Sequence, residues 1–449
     1  MGQAFSLPRT ARKRGAPLKK CSHMQYRLRH ERFGGDTSSV SLQYLLLATV
    51  LLSLGSGLLN VLIPIGGESA GFSVTLIGGL GTFYYVGFIV GCLLLPAMIS
   101  RFGHIRSFAA IAAVAASGTL VHALAISPLI WLILRAVVGF CFAGLFMVIE
   151  SWLHDQVVSE TRGRIFSLYM LACWFGIVGG NLLFAVDSPT AFSLFALASI
   201  AISVSLVPIA LTTGAAPTVS APTGVHLVKL YRTAPVGVVG CLAAGVANGA
   251  FWTFAPLFAQ AQSDSSWGVS LFMSAAVLGG AMSQWPIGTL SDHIDRRWVI
   301  AGASLISAAA ASSFLIYHDP LDFVLIGLGA VWGAAALTVY PLCTAHVNDR
   351  ADPGNFVKVS SRLLMAFGLG AVVGPLLAGV LISKEGITAL FAFTAAIHLV
   401  LAVFAVNRIR LTESVAKEER VTFSPLPPIG HGTQPIFELQ ETAKIDRDG

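Results

Sequence analysis

The chain has 449 residues, of which 55% are apolar and only 11% charged, with a net charge of +6. Its mean hydropathy of +0.77, with a charged fraction far below the roughly 25% of soluble domains, excludes a water-soluble globular protein. The polar and apolar alternation of a membrane barrel is also missing, so the composition predicts an all-α membrane protein.

The first 41 residues are basic, with Arg12, Lys13, Arg14, Lys19, Lys20 and the stretch Arg27 to Arg32, and carry no apolar periodicity. A disordered segment is expected there, suited to rest against anionic lipid. Met24 stands as an alternative start to Met1. A cleaved signal peptide is not expected, because the first apolar run is too long and no small-residue cleavage site follows it. Twelve apolar runs, each of about the 20 residues that cross the hydrocarbon core, follow in order. They lie at 42–65, 75–98, 107–126, 129–151, 165–186, 190–211, 235–260, 268–290, 298–317, 321–346, 358–382 and 387–407. The first six make one half over 42–211 and the last six a second half over 235–408. A Thr-, Pro- and Ala-rich linker, 212–234, joins them, and 409–449, with Pro425-Leu-Pro-Pro428, reads as a solvated tail.

The basic residues fix an orientation. Of the 28 Lys and Arg, 25 fall in the amino terminus, the tail and the connections after even-numbered runs. The opposite connections hold only Lys384, while Arg135 and Arg362 lie within runs. By the positive-inside rule both termini are cytoplasmic, and the net positive charge is a topology signal with no nucleic-acid partner implied. Cys21 lies in the amino terminus; Cys92, Cys141, Cys173, Cys241 and Cys343 are scattered through apolar runs. Neither a disulfide framework nor a metal site is suggested by that spacing, and no cofactor is expected.

The chain also repeats itself. Pro96-Ala-Met-Ile-Ser-Arg101-Phe-Gly103-His-Ile-Arg106 returns 192 positions later as Gly288-Thr-Leu-Ser-Asp292-His-Ile-Asp295-Arg296-Arg297-Trp298, each time ending one run and opening the next. Pro64 and Pro256, Gly139 and Gly333, Asp155 and Asp349, Arg164 and Lys358, Gly176 and Gly370, and Gly180 and Gly374 keep nearly the same offset. Two similar halves placed end to end are how many secondary transporters are built, with the substrate path between them. Glycines at four-residue spacing, Gly87 with Gly91 and Gly370 with Gly374, are expected at close helix contacts.

Gly288, Asp292, Arg296 and Arg297 match the loop pattern Gly-x-x-x-Asp-Arg/Lys-x-Gly-Arg-Arg/Lys, with Asp295 replacing the later Gly. The first copy keeps Arg101, Gly103 and Arg106, with Pro96 and Ser100 replacing the Gly and the Asp. The fourth run carries Arg135-x-x-x-Gly139-x-x-x-Ala143-Gly144, and the eleventh Gly370-x-x-x-Gly374-Pro375-x-x-x-Gly379. On these motifs the chain resembles the major facilitator superfamily over residues 42 to about 410. Glu150-Ser-Trp-Leu-His-Asp155 with Arg162-Gly-Arg164, and Tyr340 to Asp349, are similar to a bacterial subgroup of that family. The resemblance implies twelve helices in two pseudo-symmetric halves and movement of a small organic solute by alternating access. A bacterial cytoplasmic membrane and a monomer that completes its own cavity are also expected.

The resemblance puts the cavity on helices 1, 4, 7 and 10, which offer Asn60, Arg135, Asn248, Trp252, Trp332 and Tyr340. Amides and aromatic rings beside one cation suit a small polar or amphipathic solute, and Arg135 an anionic group on it. Arg135 has alternatives in backbone carbonyls and in a proton site with His122. Placing a charge at mid-bilayer costs about 2.5–3.5 kcal/mol on insertion scales, and of the 22 acids every one except Glu150 falls in a loop, at a helix end or in a tail. It is the candidate for coupling to H+, with a salt bridge to Arg162 or Arg164 as the alternative. Arg101, Gly103, Arg106, Asp155, Arg162, Arg164, Gly288, Asp292, Arg296 and Arg297 form a candidate cytoplasmic gate. Asp292 would accept bonds from the amino-terminal amides of a neighbouring helix, where the dipole favours negative charge, and pair with a nearby Arg. A solvated positive turn is the plain alternative.

Two other classes are weaker on the residues. A polytopic membrane enzyme should cluster acids or histidines at one membrane face, and Asp292-His293-Ile294-Asp295 is the only such cluster. A pump driven by nucleotide hydrolysis would need a phosphate-cradling Gly-x-x-x-x-Gly-Lys-Ser/Thr run, which the sequence lacks. A solute-binding sensor with the same fold is the remaining alternative.

Overall fold

Apolar segments of this length must satisfy every backbone amide and carbonyl internally once they leave water, which makes helices the outcome. The computed structural model describes residues 36–155, 162–188, 191–212, 227–263, 265–317, 323–351, 356–411, 413–416, 420–423, 425 and 426. The side chains at 36–41, 154, 155, 162, 163 and 356–358 are outside that description. Met24, Cys21 and the side chains of Asp155 and Arg162 therefore lie outside the described residues.

Twelve helices among them are long and apolar enough to cross a membrane. In the first half these are α1 (Asp36–Ser69), α2 (Val74–Phe102), α3 (His104–Leu124), α4 (Pro128–Asp155), α5 (Arg162–Leu183) and α6 (Phe192–Val204, continued by Leu206–Leu211). The second half holds α7 (Pro235–Ala261), α8 (Ser266–His293), α9 (Arg296–Ile316), α10 (Phe323–Asn348), α11 (Phe356–Glu385) and α12 (Ala389–Ile409). A short helix, Leu227–Thr233, precedes α7 within the stretch read as linker. Local signals set several boundaries: Ser73 and Ser265 cap α2 and α8 through their hydroxyls, and Asp295 caps α9, each supplying an acceptor to an otherwise unpaired amide.

The repeat in the sequence is a repeat in packing. α1 lies on α5 and α2 on α4; in the second half α7 lies on α11 and α8 on α10. A Cβ on Gly180 or Gly374 would come within 2.2 Å and 2.1 Å of the carbonyl oxygens of Leu54 and Val246, and on Gly139 or Gly333 within 2.0 Å of those of Tyr84 and Ala276. Bare backbone is required at these crossings, and dispersion between close helices replaces the hydrophobic effect that lipid cannot supply. The five described cysteines are buried and free.

The halves meet through α2 and α11 on the side away from the basic loops. Thr82 Oγ1 donates to the Val372 carbonyl at 2.7 Å, and Gly78 lies under the Pro375 carbonyl. Nearer the basic loops, Phe88, Cys92 and Ala143 close on Leu364 in a small apolar cluster.

Candidate functional site

Between the halves, Asn60 and Pro64 of α1, Gly81, Tyr84 and Tyr85 of α2, Arg135 of α4 and Trp252 and Thr253 of α7 surround a hollow of about 30 Å³. That is room for one or two waters. Arg135 is 6% exposed, and its guanidinium carbon stands 4.5 Å from the centre of the Tyr84 ring. The geometry follows from the sequence around it: Gly139, one turn along α4, lets that helix close on the Tyr84 carbonyl, which sets ring and guanidinium side by side. Arg135 Nε has no hydrogen-bond partner, and no ion pair to a carboxylate forms at Arg135 among the described residues. A buried cation of this kind is costly unless something anionic or polar compensates it.

The structure brings together three of the six cavity candidates: Asn60, Arg135 and Trp252. Asn248 lies one turn from Trp252 on α7, buried, with its side-chain oxygen unpartnered. Trp332 is elsewhere: fully buried within the second half, it stacks on Phe251 at 3.9 Å and meets His398 edge-on. Tyr340 packs its ring against Phe367 of α11. Neither lines the hollow. His122 sits among Trp131 and Phe195, bonded through Nδ1 to the Gly118 carbonyl, and does not line it either. Tyr84, Tyr85 and Thr253 were missed in the sequence, although a Tyr pair in the middle of an apolar run is a readable signal.

Glu150 is 3% exposed near the basic-loop end of α4, and its Oε1 accepts from the Tyr169 hydroxyl at 2.8 Å. Arg164 is exposed at the surface.

The two copies of the repeated loop are built differently. In the second, Arg296 is 1% exposed and bonds Asp349 at 2.7 Å, Asp292 at 3.0 Å and the Ser291 hydroxyl at 2.7 Å. Burial pushes the Asp349 carboxyl above its ordinary range while Arg296 pulls it the other way. Arg297 is held by Asp295 at 2.6 Å. Burial would raise Asp295, but its bonds to Arg297 bring it below the usual carboxylate range. In the first copy Arg101 and Arg106 are exposed, Ser100 bonds only the Ala97 carbonyl of its own helix, and Gly103 makes the turn at φ 84°.

The amide that reaches Asp292 does not come from a neighbouring helix, as the motif implied. It belongs to Phe423 of the tail, which bonds the carboxylate at 3.0 Å. The described tail is not a solvated end. Gln284 and Leu426 exchange two bonds, at 2.9 and 3.0 Å; the Val421 amide reaches Asp349 at 2.9 Å and its carbonyl accepts from Arg296. Leu426 is buried. Gly288 has a role here: a Cβ on it would strike the Phe423 ring.

A sequence profile described as Major Facilitator Superfamily matches residues 45–282 and 238–442. An "Uncharacterized MFS-type transporter YcaD" from Escherichia fergusonii is 26% identical over 372 residues, covering 82% of this chain and 96% of that one. Among solved structures, the nucleoside transporter NupG superposes with a TM-score of 0.71 at 13% identity, over 82% of this chain and 98% of its own. A bacterial homolog of the human lysosomal transporter Spinster, in an inward-facing and occupied conformation, gives 0.70 at 15%, over 88% and 100%. At such identities these two likenesses bear on the fold.

Proposed function

The chain belongs to the Major Facilitator Superfamily, and on that premise we propose that it is a secondary transporter of the bacterial inner membrane, with both termini cytoplasmic, that moves a small organic anion by alternating access. The observation that carries this reading is Arg135: a buried guanidinium with no ion pair to a carboxylate among the described residues, on the wall between the halves and facing Trp252 and Thr253 of the other one. Burying an uncompensated cation disfavours the empty site, and an incoming carboxylate or phosphate relieves that cost through short charge-assisted bonds. Tyr84 and Trp252 offer flat apolar surface to the rest of the solute. A hollow this small admits a solute only when the halves part, so binding and conformational change are linked.

Glu150 is the proposed proton carrier. It lies about 22 Å along α4 from Arg135, so proton and solute would be coupled through the movement of the halves and not by direct contact.

Flux into proteoliposomes, comparing small carboxylates and phosphates with their neutral analogues, tests the assignment. Arg135→Gln should cut anion flux by roughly tenfold or more, the equivalent of one charged hydrogen bond, and Arg135→Lys should restore part of it. Unchanged anion flux in Arg135→Gln would leave the residue a structural partner of Tyr84. Glu150→Gln should abolish dependence on a pH gradient while sparing exchange.

A further inference from the structure

On the basic-loop face of the second half lies a separate hollow of about 300 Å³, lined by Tyr231, Arg232, Arg297, His346, Arg350 and Arg408 among others. Its volume is at the lower end of small-molecule pockets, and it is ten times that of the hollow at Arg135. Four guanidiniums reach it from four separate elements: the short helix Leu227–Thr233, the start of α9, the residues just after α10 and the end of α12. Two nearby carboxylates are already committed, Asp295 to Arg297 and Asp349 to Arg296 and the Val421 amide. Arg350 contacts the His346 ring and donates to the Glu413 carbonyl, neither of which cancels its charge. Burial and the neighbouring Arg297 charge pull the Arg350 guanidinium below its ordinary range.

The rim points to lipid. Val228 and Tyr231 of the short helix are 65% and 43% exposed, and Leu411 just past α12 is 70% exposed. Apolar residues held out beside a ring of Arg sit where acyl chains meet headgroups, with Tyr at that boundary. Basic pockets between helices on the cytoplasmic side suit phosphate-bearing headgroups.

We propose that this hollow is a binding site for a phosphate group, supplied by an anionic lipid of the adjacent leaflet, with Arg232, Arg350 and Arg408 as its principal contacts. Arg guanidiniums suit the planar, bidentate recognition of phosphate oxygens. A bound headgroup would tie the linker helix, α10 and α12 together at the membrane surface.

The test is thermal unfolding of the delipidated full chain against phosphatidylglycerol, phosphatidylcholine and inorganic phosphate, in wild type, Arg232→Gln and Arg232→Gln/Arg350→Gln. Phosphatidylglycerol should stabilise wild type more than phosphatidylcholine. Its apparent affinity should fall roughly tenfold or more in the double variant, as expected for loss of charged hydrogen bonds, and less in Arg232→Gln. Arg232→Gln, an exposed change on a short helix, keeps the test decisive if the double variant does not fold. Stabilisation by inorganic phosphate alone, lost in the same variants, keeps the phosphate site and assigns it a soluble ligand. Equal response of wild type and variants to phosphatidylglycerol, or no response to either anion, overturns the proposal.

Discussion

The loop joining α2 to α3 and its copy joining α8 to α9 stand in equivalent places, yet one is a surface turn and the other the centre of a buried ionic network. His104 and Arg296 are the matching positions, 192 residues apart and both buried. His104 bonds the Ser151 hydroxyl at 2.8 Å and stacks on Trp152. Arg296 instead gathers two carboxylates, a hydroxyl and a tail carbonyl. The difference turns on few residues: Ser100 stands where the second copy has Asp292, and Pro96 where it has Gly288. With no carboxylate at 100 and no bare backbone at 96, the first copy lacks both groups that receive Phe423 in the second. Duplicated halves can thus keep one packing scheme and tie down the basic-loop face unequally.

The largest effect should come from breaking the network at its centre. Arg296→Gln leaves Asp349 buried without the guanidinium that bonds it, and losing one partner of a buried pair costs about 3–5 kcal/mol. His104→Gln should cost only about 1 kcal/mol, that of one neutral hydrogen bond. Thermal unfolding in detergent checks both; equal losses would mean that the two loops are mechanically alike.

Gly288→Leu comes next. The new side chain would occupy the seat of Phe423 and free the tail, at a cost of about 1–3 kcal/mol typical of overpacking. Limited trypsin cleavage at Arg420 should accelerate, whereas a substitution at Pro96 should leave it unchanged. In flux, Asp292→Asn should impair transport more than Ser100→Ala; equal, negligible effects would remove the gate reading.

The smallest effect is in the acid branch of stability. The Asp295 carboxyl is lower in the folded chain than in the unfolded one. Its contribution is therefore present above the unfolded value near 4 and is lost as pH falls through the folded one. Asp295 is half-buried, so solvent screening limits the effect to a few tenths of a kcal/mol. Asp295→Asn should flatten the loss of stability below about pH 4 by that amount. Gly103, its counterpart, has nothing to titrate.

Much of the architecture was legible because the signals are periodic or compositional. Span length, the glycine spacings and the 192-residue offset all reappear as helices, crossings and matched halves. Arg135, Asn60 and Trp252 could be picked out as polar or aromatic groups in apolar surroundings. Trp332 and Tyr340 could not be sorted from them, because lipid is as apolar as the protein interior and a membrane helix shows no polar stripe to mark its outward face. The docked tail was hidden for another reason. It is held mostly by backbone amides and carbonyls, which every residue carries, and only Phe423 and Leu426 hint at it in a polar stretch.

The sequence by itself determined that the chain crosses the membrane twelve times as two related halves, since hydropathy and repeat spacing are local properties of the chain. Only the tertiary structure decided which side chains share the hollow at Arg135, that four arginines converge beside the short linker helix, and that the tail closes over Asp292 and Arg296. Those outcomes depend on helix rotation and on contacts between residues more than a hundred positions apart, which no local pattern encodes.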